Sequence, residues 1–171
     1  EVCFHESEHA WADRFCDATE RICGIRPQLS KKSARHTIRA SLYHKRLAAI
    51  LLHLGGRGSH EKRLDTSVFD WPKDALHAVL IGWLAADGNA YQIKQKYSYA
   101  SGISVSADLA RHMFQVALGL GYHPAISRTS VKYPGGARMV NGVGFYGDEA
   151  TKIGLLSRVT FKPVKHLPQR P

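Results

Sequence analysis

Asp87 closes the apolar run Leu80-Ile81-Gly82-Trp83-Leu84-Ala85-Ala86-Asp87-Gly88, and its position is hard to explain by folding alone. The run reads as the end of a helix that starts at Pro72, a residue pre-set for the first turn, with Asp74 close behind. Ala75, Leu76, Val79, Leu80 and Trp83 are its apolar side chains, and Gly88 is expected to stop it in the left-handed conformation. A helix C-terminus carries partial negative charge, so an exposed carboxylate there costs about 0.3–1 kcal/mol. A local rule broken inside a consistent segment points to function. Asp-Gly as ordinary turn chemistry is the plainer alternative. Ala78, Gly82 and Ala86 recur at i, i+4 and i+8, a small-residue stripe along one face. Such a stripe lets a second helix approach backbone to backbone. Two helices paired in this way would bring two terminal aspartates together, and clustered carboxylates suit divalent metals.

Other chemistry is weaker. His5-Glu6-Ser7-Glu8-His9 matches the spacing of zinc proteases, which requires both histidines on one helix face. Ser7 reads as an N-cap, which leaves His5 ahead of the helix and breaks that geometry. Gly55-Gly56-Arg57-Gly58 lacks the Lys-Ser/Thr of a phosphate-binding loop and reads as a helix end. His44 and His53 read as surface residues, and no Ser-His-Asp set follows from spacing.

The surroundings must position Asp87. A chain of 171 residues with 44% apolar content has room for one domain or two small subdomains. No apolar run approaches the roughly 20 residues of a membrane span. The opening Glu1-Val2-Cys3-Phe4-His5 does not resemble a signal peptide, and the missing initiator Met suggests a fragment or processed piece. Three cysteines without CxxC spacing read as reduced thiols, which suggests a cytoplasmic, nuclear or organellar location and no secretion. The net charge of +10 favours a polyanionic partner, nucleic acid first.

The chain also resembles itself. Trp11, Phe15, Ala18 and Ile22 form a helical stripe ahead of Gly24-Ile25-Arg26-Pro27-Gln28-Leu29-Ser30-Lys31. Leu109, Met113, Val116 and Leu120 form the same stripe ahead of Gly121-Tyr122-His123-Pro124-Ala125-Ile126-Ser127-Arg128. The offset is about 97 residues and grows across a hairpin insertion at Tyr133-Pro134-Gly135-Gly136. A second strand follows in each copy, Arg35 to Tyr43 and roughly Arg138 to Tyr146. Then comes an amphipathic helix, with Leu47, Ile50, Leu51 and Leu54 in one copy and Ala150, Ile153 and Leu156 in the other. The second copy is preceded by the Asp87 helix and a strand pair around Asn89 to Ser101. Projecting the offset back puts a partner aspartate ahead of Glu1.

Leu80 to Gly88 resembles the nonapeptide of the LAGLIDADG homing endonucleases, keeping the leading Leu, the Gly and the closing Ala-Asp-Gly. It departs at Ile81, Trp83 and Leu84, which stay apolar, and at Ala85, where the consensus has an acid. The resemblance implies an α+β fold of two pseudo-symmetric αββαββα repeats, the first truncated at its N-terminus. The expected division is 1–70 and 71–171, with the motif helix at 72–88. It implies a site-specific, Mg²⁺-dependent endonuclease of double-stranded DNA, embedded in an intein or encoded in an intron. Asp87 would hold the metal with the backbone carbonyl of Ala86. Lys62, in Glu61-Lys62-Arg63-Leu64-Asp65, resembles the family's Lys-x-apolar-Pro element, with Asp65 in place of Pro. In the second copy Lys165-His166-Leu167-Pro168 fits that element, and Lys162 competes with Lys165. With one motif aspartate the fragment should be a poor nuclease, and it should self-associate through the Ala78/Gly82/Ala86 face.

DNA contacts are expected from strand faces, where Arg reads guanine, Gln reads adenine and Lys meets phosphate. From Ala90 to Ser98, alternation sets Tyr91, Ile93, Gln95 and Tyr97 against Gln92, Lys94, Lys96 and Ser98, the face offered to DNA. Arg35, Thr37, Arg39 and Ser41 oppose Ile38, Ala40 and Leu42. Arg26 and Gln28 join from the preceding strand, and Arg128 and Lys132 from the second copy. A half-exposed sheet with a polar outer face is the plainer reading. The competing function is a non-catalytic DNA- or RNA-binding relative, a transcription regulator or an intron maturase.

Overall fold

The computed structural model of the chain describes residues 2–32, 36–93, 97–133, 136–157 and 161–164. It is an α+β protein whose contacts divide it into two compact units, Glu1–Leu51 and Leu52–Pro171. The division falls ahead of the position 70 expected from sequence.

The first unit opens with a strand the sequence did not signal, β1 (Val2–His5), and continues through α1 (His9–Cys23), β2 (Gln28–Lys32) and β3 (Thr37–Ser41). Helix α2 (Lys45–Gly55) begins in this unit and ends in the next. The sheet order is β1-β3-β2, antiparallel throughout. Ala12, Cys16 and Thr19 on α1 are buried, as are Ile38 and Ala40 on β3. Helix α1 ends because Gly24 turns left-handed at φ 69°, its N–H donating to the Glu20 carbonyl at 2.7 Å. His5 caps a 3-10 turn at Glu6–Glu8, its Nδ1 accepting from Ser7 N at 3.3 Å. Ser7, expected as the cap, lies inside that turn. His5 sits in β1 and His9 in α1, so the two histidines do not share a helix face.

The second unit runs α3 (Lys73–Asp87), β4 (Gly88–Ile93), β5 (Tyr97–Ser104), α4 (Ala107–Gly119), β6 (Ala125–Tyr133), β7 (Gly136–Tyr146), α5 (Gly147–Ser157) and β8 (Phe161–Val164). The sheet order is β6-β7-β5-β4-β8, antiparallel except that β8 lies parallel to β4. Three helices cover one face. Leu76, Leu80, Trp83 and Leu84 of α3 enter a core with Leu109, Met113 and Val116 of α4, Val143 and Phe145 of β7, and Ile153 of α5. Each such side chain, fully buried, contributes about 1.5–3 kcal/mol. The strands beneath α3 carry Ala90, Ala100 and Gly102, small residues that let the helix sit close. A Cβ on Gly102 would stand 2.5 Å from the Trp83 ring, so the position admits no side chain.

One feature differs from the sequence reading. Gly88 is extended, at φ −96° and ψ 163°, and is not the left-handed stop expected. A Cβ there would lie 2.1 Å from the Leu84 carbonyl oxygen, so the glycine is needed for close approach as the chain passes straight from α3 into β4. The strand pair expected around Asn89 to Ser101 is β4 and β5. Lys94, Gln95 and Lys96 fall between β4 and β5, outside the described residues. Among the described residues no helix is long and apolar enough to cross a membrane.

Candidate active site

Asp87, the last residue of α3, and Lys62, in the loop between α2 and α3, come together at one open cleft of about 440 Å³. Its lining also includes Ser59, Ala86, Gly88, Asn89, Ile103, Ser104, Val105 and Val140. Asp87 and Lys62 are both exposed. Among the described lining residues Asp87 is the one carboxylate and Lys62 the one cation.

The loop carrying Lys62 is fastened at several points. Arg63 N donates to the Gly55 carbonyl at 3.0 Å, and Asp65 N to the Leu54 carbonyl at 2.9 Å. Leu64 N donates to His112 Nδ1 at 3.0 Å, and His112 meets Phe69 edge to face. Ser106, the buried N-cap of α4, donates from Oγ to the Lys62 carbonyl at 2.5 Å and accepts from Leu109 N at 3.2 Å. Gly56 makes the turn at φ 73°, where a Cβ would also lie 2.2 Å from the Glu61 carbonyl oxygen. The backbone of Lys62 is thereby tied to α4 while its side chain is exposed at the cleft. Asp65 caps the 3-10 turn leading to α3: the Ser67 hydroxyl, then the Ser67 N–H, hold its carboxyl below the usual range.

Register defines the two faces of the sheet. Ala100 opposes Phe145 and Ala90, whereas Tyr99 opposes Tyr146 and Tyr91. The helix-covered face is therefore that of Ala90, Ala100, Gly102 and Phe145, and the face left uncovered by the described residues carries Asn89, Tyr91, Tyr99, Ser101, Ile103 and Tyr146. Asn89, Ile103 and Val140 of the cleft lie on the uncovered side, so the cleft opens at the end of that face.

This reverses the parity expected for β4 and β5. Gln92 pairs with Ser98 in register, and the Ser98 hydroxyl, on the covered side, accepts from Thr151 Oγ1 of α5 at 2.8 Å. Three tyrosines take the uncovered side instead. Tyr91 and Tyr99 are near parallel with centroids 6.3 Å apart, and Tyr146 tilts against Tyr99 at 5.0 Å. Burial raises the Tyr99 phenol pKa above its usual value. Gly144 lies under that ring, where a Cβ would be 2.8 Å away. The alternation of Tyr91, Tyr97 and Tyr99 with small residues was the available signal.

The remaining expected contacts are scattered. Gln28, Thr37 and Arg39 share the face of the first sheet opposite buried Ile38 and Ala40, as expected. Arg26 is held to α1 by Asp17 at 2.7 Å and Glu20 at 2.8 Å, which counters its charge. Arg128 and Lys132 are exposed on β6 but follow Ile126 and Val143 in parity, opposite the tyrosines. Arg35, Lys94, Lys96 and Lys165 lie outside the described residues, and Lys162 is in β8 opposite Tyr91. No protein-family model matches this sequence, and a comparison with curated proteins gives no match.

Proposed function

We propose that this protein is a divalent-metal-dependent nuclease of duplex DNA, with Asp87 as metal ligand and Lys62 as the cation facing the scissile phosphate. The carrying observation is that two residues far apart in sequence, one on a helix end and one on a fastened loop, meet at a cleft beside the uncovered sheet face. The order α3-β4-β5-α4-β6-β7-α5 supports the LAGLIDADG-type repeat, because helix, two strands, helix, two strands, helix is what the resemblance implies.

The donors fit a hard cation. Mg²⁺ takes oxygen ligands and uses one or two protein carboxylates, leaving positions for water and substrate phosphate. The Asp87 carboxylate and the Ala86 carbonyl supply such donors. When bound, the ion lowers the pKa of a water and stabilises the leaving oxygen of a phosphodiester. Lys62 then offsets charge on the non-bridging oxygens, an electrostatic role that needs a firmly placed backbone. The loop's hydrogen bonds meet that need. DNA lying along the uncovered face would present its backbone at the cleft, with Tyr91, Tyr99 and Tyr146 against it.

A non-catalytic nucleic-acid-binding role is the second reading, favoured by the single carboxylate among the described lining residues. Nicking of supercoiled plasmid in Mg²⁺, run beside a DNA-binding assay, separates the two. Asp87→Asn should abolish nicking and leave binding within a few-fold, and Lys62→Ala should slow nicking by about tenfold or more. DNA binding without any metal-dependent scission by the wild type would favour the second reading.

A further inference from the structure

Lys62 reaches the cleft on a loop, and one of the groups holding that loop can take up a proton. The Lys62 carbonyl accepts from Ser106 Oγ, Arg63 N donates to the Gly55 carbonyl, and Asp65 N donates to the Leu54 carbonyl. Carbonyl and hydroxyl partners of this kind do not titrate. Leu64 N, between them, donates instead to Nδ1 of His112 on α4 at 3.0 Å. A backbone N–H can only donate, so Nδ1 must offer its lone pair and the ring must be neutral, with its proton on Nε2. Phe69 meets that ring edge to face, with centroids 5.6 Å apart and 86° between the planes. The packing keeps the ring where Leu64 needs it. His112 is only half-buried, so a proton can reach it from water.

The charged groups around His112 already have partners or balance one another. On α4, Asp108 lies one turn before His112 and is paired with Arg111 at 2.9 Å. The loop itself carries Glu61, Lys62, Arg63 and Asp65, two of each sign. Asp65 accepts from the Ser67 hydroxyl and N–H, and His53 of α2 stands 3.8 Å from it. Asp70 ends the turn that carries Phe69, and Lys73 opens α3. Further along α3, Asp74 accepts from Ala75 N and His77 meets the Tyr122 hydroxyl, each at 3.0 Å. The strands packed on α4 bring only cations, Arg128 and Lys132 on β6 and Arg138 on β7. A proton on His112 therefore acts through the lost acceptor: two N–H groups would face each other where one hydrogen bond stood.

We infer that His112 is a pH-sensitive positioning residue, which when neutral clasps the Lys62 loop to α4 and as imidazolium releases it. Imidazole changes charge between about pH 5 and pH 8, so the loop is held above that range and loosened below it. His53 works in the opposite sense, because its proton would strengthen the pair with Asp65. The clasp stands without the nuclease reading, and only its effect on scission rests on that reading.

The test measures amide exchange of Leu64 in the intact chain at pH 8 and pH 5, corrected for the intrinsic rate of an open amide. His112→Asn keeps an acceptor at the δ position that does not titrate, and His112→Phe keeps a ring without an acceptor. Wild-type protection should fall about three- to tenfold at the lower pH. His112→Asn should show no such fall, His112→Phe should be poorly protected at both pH values, and His53→Gln should respond as wild type. Unchanged protection of the Val116 and Phe145 amides checks that the fold survives. Plasmid nicking in Mg²⁺ follows the same series, and its loss toward pH 5 should be about threefold or more smaller in His112→Asn than in wild type. Equal Leu64 protection at both pH values, or an equal fall in His112→Asn, would overturn the clasp. A clasp that opens while wild type and His112→Asn keep one nicking profile would overturn the link to Lys62. Absence of nicking throughout would count against the nuclease reading instead, and the exchange of Leu64 would still decide the clasp.

Discussion

The two units follow the same route through strand, helix, two strands and helix, and among the described residues only the second has a continuous core. In the second, α3 buries Leu76, Leu80, Trp83 and Leu84 against α4, α5 and β5. In the first, Ile22, Ile50 and Leu51 are 79%, 54% and 59% exposed, and α2 has no buried residue. The difference teaches that α3 has two jobs. Its apolar side completes a core, and its last turn delivers Asp87 to the cleft. The helix that stabilises the unit is the one that carries the proposed metal ligand, so changes to its core side can reach the cleft.

The strongest way to break this comparison is to remove matching apolar side chains from the two units. Leu80→Ala should destabilise the second unit by about 2–5 kcal/mol, read from the urea midpoint, because a fully buried leucine leaves a cavity. Leu51→Ala should stay within about 0.5 kcal/mol, as expected of an exposed position. Equal losses would show that the exposures of α2 mislead. Gly102→Ala sharpens the role of close approach. It drives a methyl into the Trp83 ring and should cost about 1–3 kcal/mol, visible in Trp fluorescence and thermal midpoint.

A smaller effect tests the two sheet faces. Tyr146→Ala should weaken DNA binding several-fold while Ser98→Ala leaves it unchanged, since only the tyrosine is on the uncovered side. Arg39→Ala on the first sheet should relax preference at one base position, the signature of a lost base contact, while affinity keeps its fall with salt. A salt-insensitive affinity would remove DNA as the partner.

The smallest effect is a pH dependence confined to the second unit. Desolvation pushes Glu149 up, but hydrogen bonds from the His123 side chain and N–H outweigh it and leave the carboxyl below its usual 4.5. A depressed carboxyl pKa stabilises the fold above the unfolded value, and that stability fades as pH falls through the folded value. Glu149→Gln should therefore flatten the stability profile below about pH 4.5 and change little near neutrality. An unchanged acid limb in the variant would dismiss the pair as a stabilising contact.

Much of this was legible from residues. Pro72 and Gly88 bracketed α3 closely, Pro72 because proline is pre-set for a helix start and Gly88 because the chain leaves the helix too close to the Leu84 carbonyl for a side chain. The self-similarity around Gly24 and Gly121 anticipated the shared route. The meeting of Asp87 and Lys62 was expected only through the LAGLIDADG resemblance, since nothing in their spacing brings them together. The faces of β4 and β5 were misread because tyrosine is amphipathic and alanine weakly apolar, so alternation gave no sign of which set α3 would cover. The small set won because Trp83 fills the space above Gly102. Strands β1 and β8 are too short for periodicity to signal, and they exist through pairing with β3 and β4.

The central claim is that the end of α3 and the Lys62 loop meet around one divalent ion, and metal-directed backbone scission tests it most directly. Fe²⁺ replaces Mg²⁺ in the intact chain, ascorbate and peroxide generate hydroxyl radicals at the ion, and the fragments are mapped by mass spectrometry. The expected result is cutting at 86–89 and around Lys62, competed by Mg²⁺ and lost in Asp87→Asn. Cutting elsewhere, or the same pattern in the variant, would contradict a metal site at Asp87.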